Sequence, residues 1–83
     1  MEYRPFVSLE ILDSIRAIKG KRKEEMFRYF SDLGRNPYIP GDFQIMIADR
    51  EVQVKVFGKY SVYYWVDHAV CEVKIIDLLK SDE

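Results

Sequence analysis

The stretch Val52–Leu79, VQVKVFGKYSVYYWVDHAVCEVKIIDLL, decides the fold. Val52, Val54 and Val56 alternate with Gln53 and Lys55, the two-residue period of a half-buried strand. Gly58-Lys59 follows, with glycine at the first central position of a two-residue hairpin turn. Tyr60 to Val66 reads as a further strand. Asp67-His68-Ala69 then turns the chain into a last one, Val70 to Leu78. Upstream, Phe43, Ile45 and Ile47 alternate as far as Asp49-Arg50, a candidate turn, so the C-terminal half is a four-strand meander.

Before residue 43 the period is helical. Ser8 has the chemistry of a helix N-cap, with Glu10 in the favourable first turn. Leu9, Ile11, Leu12, Ile15 and Ile18 form one apolar stripe. Gly20 interrupts it, and Lys21–Leu33 makes a second helix with Met26, Phe27, Phe30 and Leu33 on one face and Glu24/Arg28 as an i,i+4 pair. Gly34 stands where a C-cap glycine belongs, and Asn36-Pro37 blocks further helix. Tyr3–Val7 can pair as a strand, with Pro5 directing it to a sheet edge. The order predicts an α+β fold: an N-terminal helical hairpin packed on a mainly antiparallel four-stranded sheet.

Composition narrows the function classes. At 83 residues the chain is one domain's worth, expected to run 1–83. With 48% hydrophobic and 14% aromatic residues it is too apolar for intrinsic disorder. Thirteen Lys and Arg against 14 Asp and Glu leave a net charge of -1, so bulk charge does not indicate a nucleic-acid binder. The charge is split: residues 1–35 hold 8 basic and 6 acidic groups (8 − 6 = +2), residues 36–83 hold 5 and 8 (5 − 8 = −3). One cysteine, Cys71, excludes an internal disulfide, and with the lone His68 it is too little for an ordinary zinc site; no metal and no cofactor is expected. The longest apolar run, Val62–Val66, is far short of a membrane span, and no signal-peptide core is recognisable, so a cytoplasmic protein is expected.

The helical hairpin, its ending Leu33-Gly34-Arg35-Asn36-Pro37, Val54-Lys55-Val56 and Gly58-Lys59-Tyr60 together resemble the RelE/ParE superfamily of bacterial toxins, the plasmid stabilisation family. The resemblance spans roughly Phe6 to Lys80 and rests on the order and spacing of short motifs. It implies the toxin of a type II toxin–antitoxin module, with a cognate antitoxin as partner. Its two branches imply different targets: ribosome and mRNA for a ribosome-dependent endonuclease (an mRNA interferase), or DNA gyrase for a non-enzymatic poison; an inactive toxin-like binding protein is the remaining reading.

The nuclease branch uses lysines and arginines to activate a 2′-hydroxyl and stabilise the phosphorane. Only Lys55 matches that set. Gln53 stands at the first lysine position, Ser61 at the arginine after the hairpin tyrosine, and the C-terminal arginine is missing, leaving Lys80 as the nearest cation. Tyr63, Tyr64 and His68 are the available substitutes for acid/base work. Strand parity puts Tyr63 and Trp65 on one face of their strand and Lys55 opposite the valines of its own. If the valines pack on the helices, then Lys55, Tyr63 and Trp65 share the open face. Each has a plain reading beside the chemical one: Lys55 as a solvated strand lysine, Tyr63 and Trp65 as a base-stacking platform or a partner-docking patch, His68 as a turn residue, Cys71 as a small buried hydrophobe. The run Lys19, Lys21, Arg22, Lys23 is a solvated helix start or a phosphate contact.

Overall fold

The computed structural model describes residues 2–81. Its elements run β1 (Arg4–Val7), α1 (Leu9–Ala17), α2 (Lys21–Arg35), β2 (Phe43–Ile47), β3 (Arg50–Phe57), β4 (Tyr60–Asp67) and β5 (Glu72–Lys80). The strands form one sheet in the order β1-β5-β4-β3-β2. The four strands expected of the meander are there, and the edge segment around Pro5 adds a fifth, parallel to β5. All other pairings are antiparallel.

Local chemistry sets the helix ends. The Ser8 hydroxyl accepts the Ile11 amide at 3.1 Å, so α1 starts where the cap predicts. It stops when Ile18 turns extended, and Gly20, at φ 76°, supplies the left-handed backbone from which α2 departs. Gly34 does not cap α2, because the helix continues to Arg35. The glycine is buried instead against β1: its carbonyl accepts the Tyr3 amide at 2.8 Å. A Cβ there would stand 2.9 Å from the Tyr3 carbonyl oxygen. The ion pair on the exposed side of α2 is Arg22–Glu25 at 2.9 Å, at i,i+3, in place of the expected Glu24/Arg28.

Both helices lie on one side of the sheet. The core between the layers gathers Ile15, Ile18, Met26, Phe30 and Leu33 from the helical half with Phe57, Val62, Tyr64, Val73 and Ile75 from the strands. Phe27, assigned by its spacing to the same helix face, is largely exposed at its margin. The valines of β3 are no part of this cluster. The β3–β4 hairpin pairs Phe57 with Tyr60, Lys55 with Val62 and Gln53 with Tyr64. Residues directly opposite in an antiparallel pair share a face. Phe57 is buried beneath Tyr29 of α2, ring centroids 5.7 Å apart, so Lys55 and Gln53 follow it to the helix side. Val52, Val54 and Val56 therefore line the opposite face with Phe43 and Ile45 of β2 and Tyr63 of β4. The expectation that the valines pack on the helices is corrected by this register: the helix side is taken by Phe57 with Val62 and Tyr64 of β4, and the valines of β3 face the other way.

Two further features shape the sheet. The turn between β2 and β3 is Ala48-Asp49, both at positive φ (51° and 65°), with Ile47 and Arg50 as the closing pair, one residue earlier than Asp49-Arg50. In β5, Ile76 is an extra residue between the pairs Tyr63–Asp77 and Tyr64–Ile75; this bulge keeps both Ile75 and Leu78 on the helix side.

The connection from α2 to β2 is fastened by phenols. Tyr29 donates to the Pro40 carbonyl at 3.2 Å, Tyr64 donates to the Tyr29 hydroxyl in a short hydrogen bond, and the Ile39 carbonyl stands 3.4 Å from the Tyr64 hydroxyl. Burial, followed by the bond with Tyr29, raises the Tyr64 pKa far above an ordinary phenol. The pair stays protonated and serves as structure.

The close approach at Gly34 is testable. Gly34→Ala gains about 1 kcal/mol of helix propensity but overpacks the β1 contact at about 1–3 kcal/mol. Urea denaturation is expected to show a net loss of stability, with the midpoint lowered and the slope unchanged.

Candidate functional site

Lys55, the one position that fits the nuclease set, sits at the edge of the helix-side layer. Its Nζ is 3.3 Å from the Asp42 carboxylate and 5.4 Å from the centre of the Tyr29 ring. Asp42 also accepts the Val56 amide at 2.7 Å. That amide above all holds the Asp42 carboxyl below the usual carboxylate range; burial opposes it, and Lys55 adds to the lowering. Lys55 is thus an ion-pair partner that anchors the loop before β2, a contact its sequence position did not reveal.

Tyr63 lies on the other face of the sheet, paired with Val54 on one side and Asp77 on the other. Trp65 shares that face. Arg50 stacks on its ring at 3.7 Å and Lys74 approaches it at 5.3 Å. Lys74 is itself held by Asp67 at 3.0 Å and Glu72 at 3.8 Å. The expectation that Lys55, Tyr63 and Trp65 share one face is therefore corrected: two of them do, and Lys55 is behind the sheet.

His68 occupies the β4–β5 turn, as expected, but in company that the sequence does not advertise. Its Nδ1 is 2.8 Å from the Tyr3 hydroxyl, and its ring stacks on Tyr38 with centroids 5.2 Å apart and planes 18° from parallel. Three segments distant in sequence meet there: the entry to β1, the loop after α2 and this turn. Cys71 is partly buried in the same turn at φ 55°, its Sγ 4.0 Å from the His68 carbonyl. Lys55, Tyr63 and His68 are thus held at three separate places.

The open face of the sheet is covered by neither helix. Both helices are on the other side, and here Phe6, Phe43, Ile47, Val56 and Leu79 remain substantially exposed around the buried Val52 and Val54. Trp65 with its two cations lies between β1 and β3 on this face. Such an apolar floor with aromatic and arginine anchors has the composition of a protein-docking surface.

The basic run forms a second surface. Lys19 precedes α2, and Lys21, Arg22 and Lys23 open it. The Arg22 guanidinium lies over the β3–β4 turn, where a Cβ on Gly58 would meet its Nε at 2.5 Å. The neighbouring Lys59 accepts the Ser81 amide through its carbonyl at 2.7 Å. Lys80 pairs with Tyr60 in β-register and shares a shallow cavity of about 270 Å³ with Ala17 and Ile18. The three segments that carry these cations thus meet at one end of the molecule, where Glu25 pairs with Arg22. Lys59 is the member that the sequence reading missed; its place in the hairpin turn was legible, but not the arrival of α2 above that turn.

Among the described residues no group of His, Cys, Asp and Glu is placed to hold a metal ion, and no helix is long and apolar enough to cross a membrane.

The Asp42 anchor has a pH signature. Because the folded carboxyl titrates lower than the unfolded one, its contribution is complete above the ordinary carboxylate pKa, about 4, and fades as pH falls through the folded value. Asp42→Asn is expected to destabilise the fold at neutral pH, and the gap from the parent chain to close in urea melts taken below that pH.

No protein-family model matches the sequence, and no curated protein matches it. Solved structures do. A chain of the archaeal RelE–RelB complex from Pyrococcus horikoshii OT3 superposes with a TM-score of 0.80 at 17% identity, over 100% of this chain and 99% of that one. A chain of the RelBE2 toxin–antitoxin complex from Mycobacterium tuberculosis gives 0.73 at 15% identity, covering 96% and 99%. A mutant of the E. coli toxin RelE in its free state gives 0.61 at 16% identity, covering 99% and 86%. Over its whole length, the chain has the fold of RelE.

Proposed function

We propose that this protein is the toxin component of a type II toxin–antitoxin module, residues 1–83 being its toxin domain, and that it acts in the cytoplasm by binding rather than through the usual lysine–arginine ribonuclease set. The observation that carries the reading is the full-length likeness to chains of RelE–RelB and RelBE2 complexes, joined to a sheet face left bare and apolar. In this reading a cognate antitoxin covers that face, with Trp65 and its Arg50 and Lys74 partners as the polar anchors at its centre.

The separation of the candidate catalytic residues favours binding over cleavage. General acid/base catalysis needs its groups within hydrogen-bond reach of one reacting phosphate. Lys55 is spent on Asp42, Tyr63 is across the sheet, and His68 is engaged with Tyr3 and Tyr38. The basic end, Lys19 to Lys23 with Lys59 and Lys80, is the part suited to phosphate, on ribosomal RNA with its mRNA or on DNA held by gyrase. A ribosome-dependent nuclease remains the competing reading, since the structural likenesses are to RelE complexes and to RelE itself.

Induced expression in a host lacking the antitoxin separates these readings. Growth arrest is expected, unchanged by Lys55→Ala, relieved by reversing the charges at Lys19, Lys21 and Lys23, and relieved by co-expression of an antitoxin that co-purifies with the chain. Phe43→Asp on the open face is expected to weaken that complex at least about tenfold, the loss of roughly 1.4 kcal/mol. Cut messages that disappear with Lys55→Ala would restore the ribonuclease. Arrest with intact messages and a DNA-damage response points to gyrase, and no arrest from the folded chain removes the toxin reading.

A further inference from the structure

The sheet has two edges, and they are not alike. At one, β1 is four residues long, carries Pro5, which has no amide to offer, and is flanked by Arg4, ion-paired to Glu72 at 3.9 Å. Short length, proline and charge are the devices by which proteins keep sheet edges from pairing. At the other, β2 reads Phe43-Gln44-Ile45-Met46-Ile47, with no charge and no proline. It ends the sheet, and both helices lie elsewhere, against β5, β1 and β3. Its side chains are exposed on both faces, Met46 at 66% on the helix side and Phe43 at 47% on the open side.

The hairpin fixes which backbone groups of β2 are free. Ile47 and Arg50 close the two-residue Ala48-Asp49 turn, so they exchange hydrogen bonds. Antiparallel ladders alternate, which turns the peptide groups of Ile45 and Phe43 toward β3 and those of Gln44 and Met46 outward. An antiparallel partner of the same sequence, related by a two-fold axis at Ile45, would place Gln44 opposite Met46 of the other copy, Phe43 opposite Ile47, and Ile45 opposite itself. The outward amides and carbonyls of both copies are then satisfied. No charge faces another anywhere along the seam, whereas a strand carrying a lysine or glutamate would meet like charge near its own axis. On the open side the Val52–Ile45 row of one copy would continue into the same row of the other, joining two apolar faces into one.

We infer that β2 is the site at which a second copy of this chain joins, making a two-fold dimer with one continuous ten-stranded sheet. Self-pairing requires an interface that is its own complement, and the uncharged β2 meets that requirement where the guarded β1 does not. The inference goes beyond the toxin reading and does not depend on it, because its test uses the isolated chain and needs neither antitoxin nor target.

Sedimentation equilibrium of the full chain is expected to show a reversible monomer–dimer equilibrium. Met46→Pro removes an amide that faces away from β3, and with it two hydrogen bonds across the axis; the dimer dissociation constant should rise at least about tenfold. Met46→Lys, which leaves the backbone intact, should weaken the dimer in the same direction, and circular dichroism of both variants establishes that the monomer is folded. Register is read by cross-linking in a Cys71→Ser background. Ile45→Cys faces its own copy in a non-hydrogen-bonded pair, whose spacing of about 4.5 Å suits a disulfide, so mild oxidation should yield a covalent dimer; Gln44→Cys should not. A chain that is monomeric at every concentration overturns the inference. So does a dimer indifferent to both Met46 variants, an Ile45→Cys chain that fails to cross-link, or a monomer that instead accepts an added extended peptide along β2.

Discussion

The organisation of this molecule depends on the burial of Phe57 beneath Tyr29. Because facing residues of an antiparallel pair share a side of the sheet, placing that one ring inward commits every other residue of β3 and β4. Gln53 and Lys55 go to the helix side with Tyr60, Val62 and Tyr64. Val52, Val54 and Val56 go to the open side with Tyr63. A one-residue slip would exchange the two sets and leave Tyr64 in solvent. The core around Phe57 and the bare apolar face opposite are two results of one register.

The same ring explains the loop that leads into β2. Tyr29 packs edge-on against Phe57 and Tyr64, accepts a hydrogen bond from the Tyr64 hydroxyl and donates its own proton past the core to the Pro40 carbonyl. Asp42 then binds the Val56 amide, and Lys55 covers the carboxylate. A lysine in a strand motif is in this way an element of loop anchoring. Any chemical role would require it to leave an ion pair and a ring.

Much of this was legible in the chain. The 3.6-residue stripe through Leu9–Ile18, the Ser8 cap, the helix opening at Lys21, the Gly58-Lys59 turn and the change to a two-residue period at Phe43 are all local signals, and each located its element. The errors arose where long-range contacts decide. Gly34 looks like a cap because glycines usually are, yet Tyr3 arrives from the other end of the fold and needs the space. The valine row looks inward because alternation shows that a strand has two unlike faces without saying which one meets the helices. For the same reason alternation alone puts Lys55 and Tyr63 on one shared face, when they lie on opposite sides. The grouping of Lys59 and Lys80 with the Lys19–Lys23 run is likewise a product of how α2 is set down over the hairpin.

The parallel pairing of β1 with β5 has a kinetic side. Arg4–Val7 can find their ladder only after the chain has passed through both helices and three intervening strands to reach Glu72–Ile75. Closing so long a loop postpones the reward of those contacts, which slows folding relative to a chain of local hairpins. On a translating ribosome the β2–β3–β4 meander can assemble as it emerges, while β1 and the Tyr3–His68 contact wait for the last strand. For a polypeptide read as harmful to its own host, the sheet is then incomplete until β5 has emerged, an interval in which a partner already present can be waiting for it.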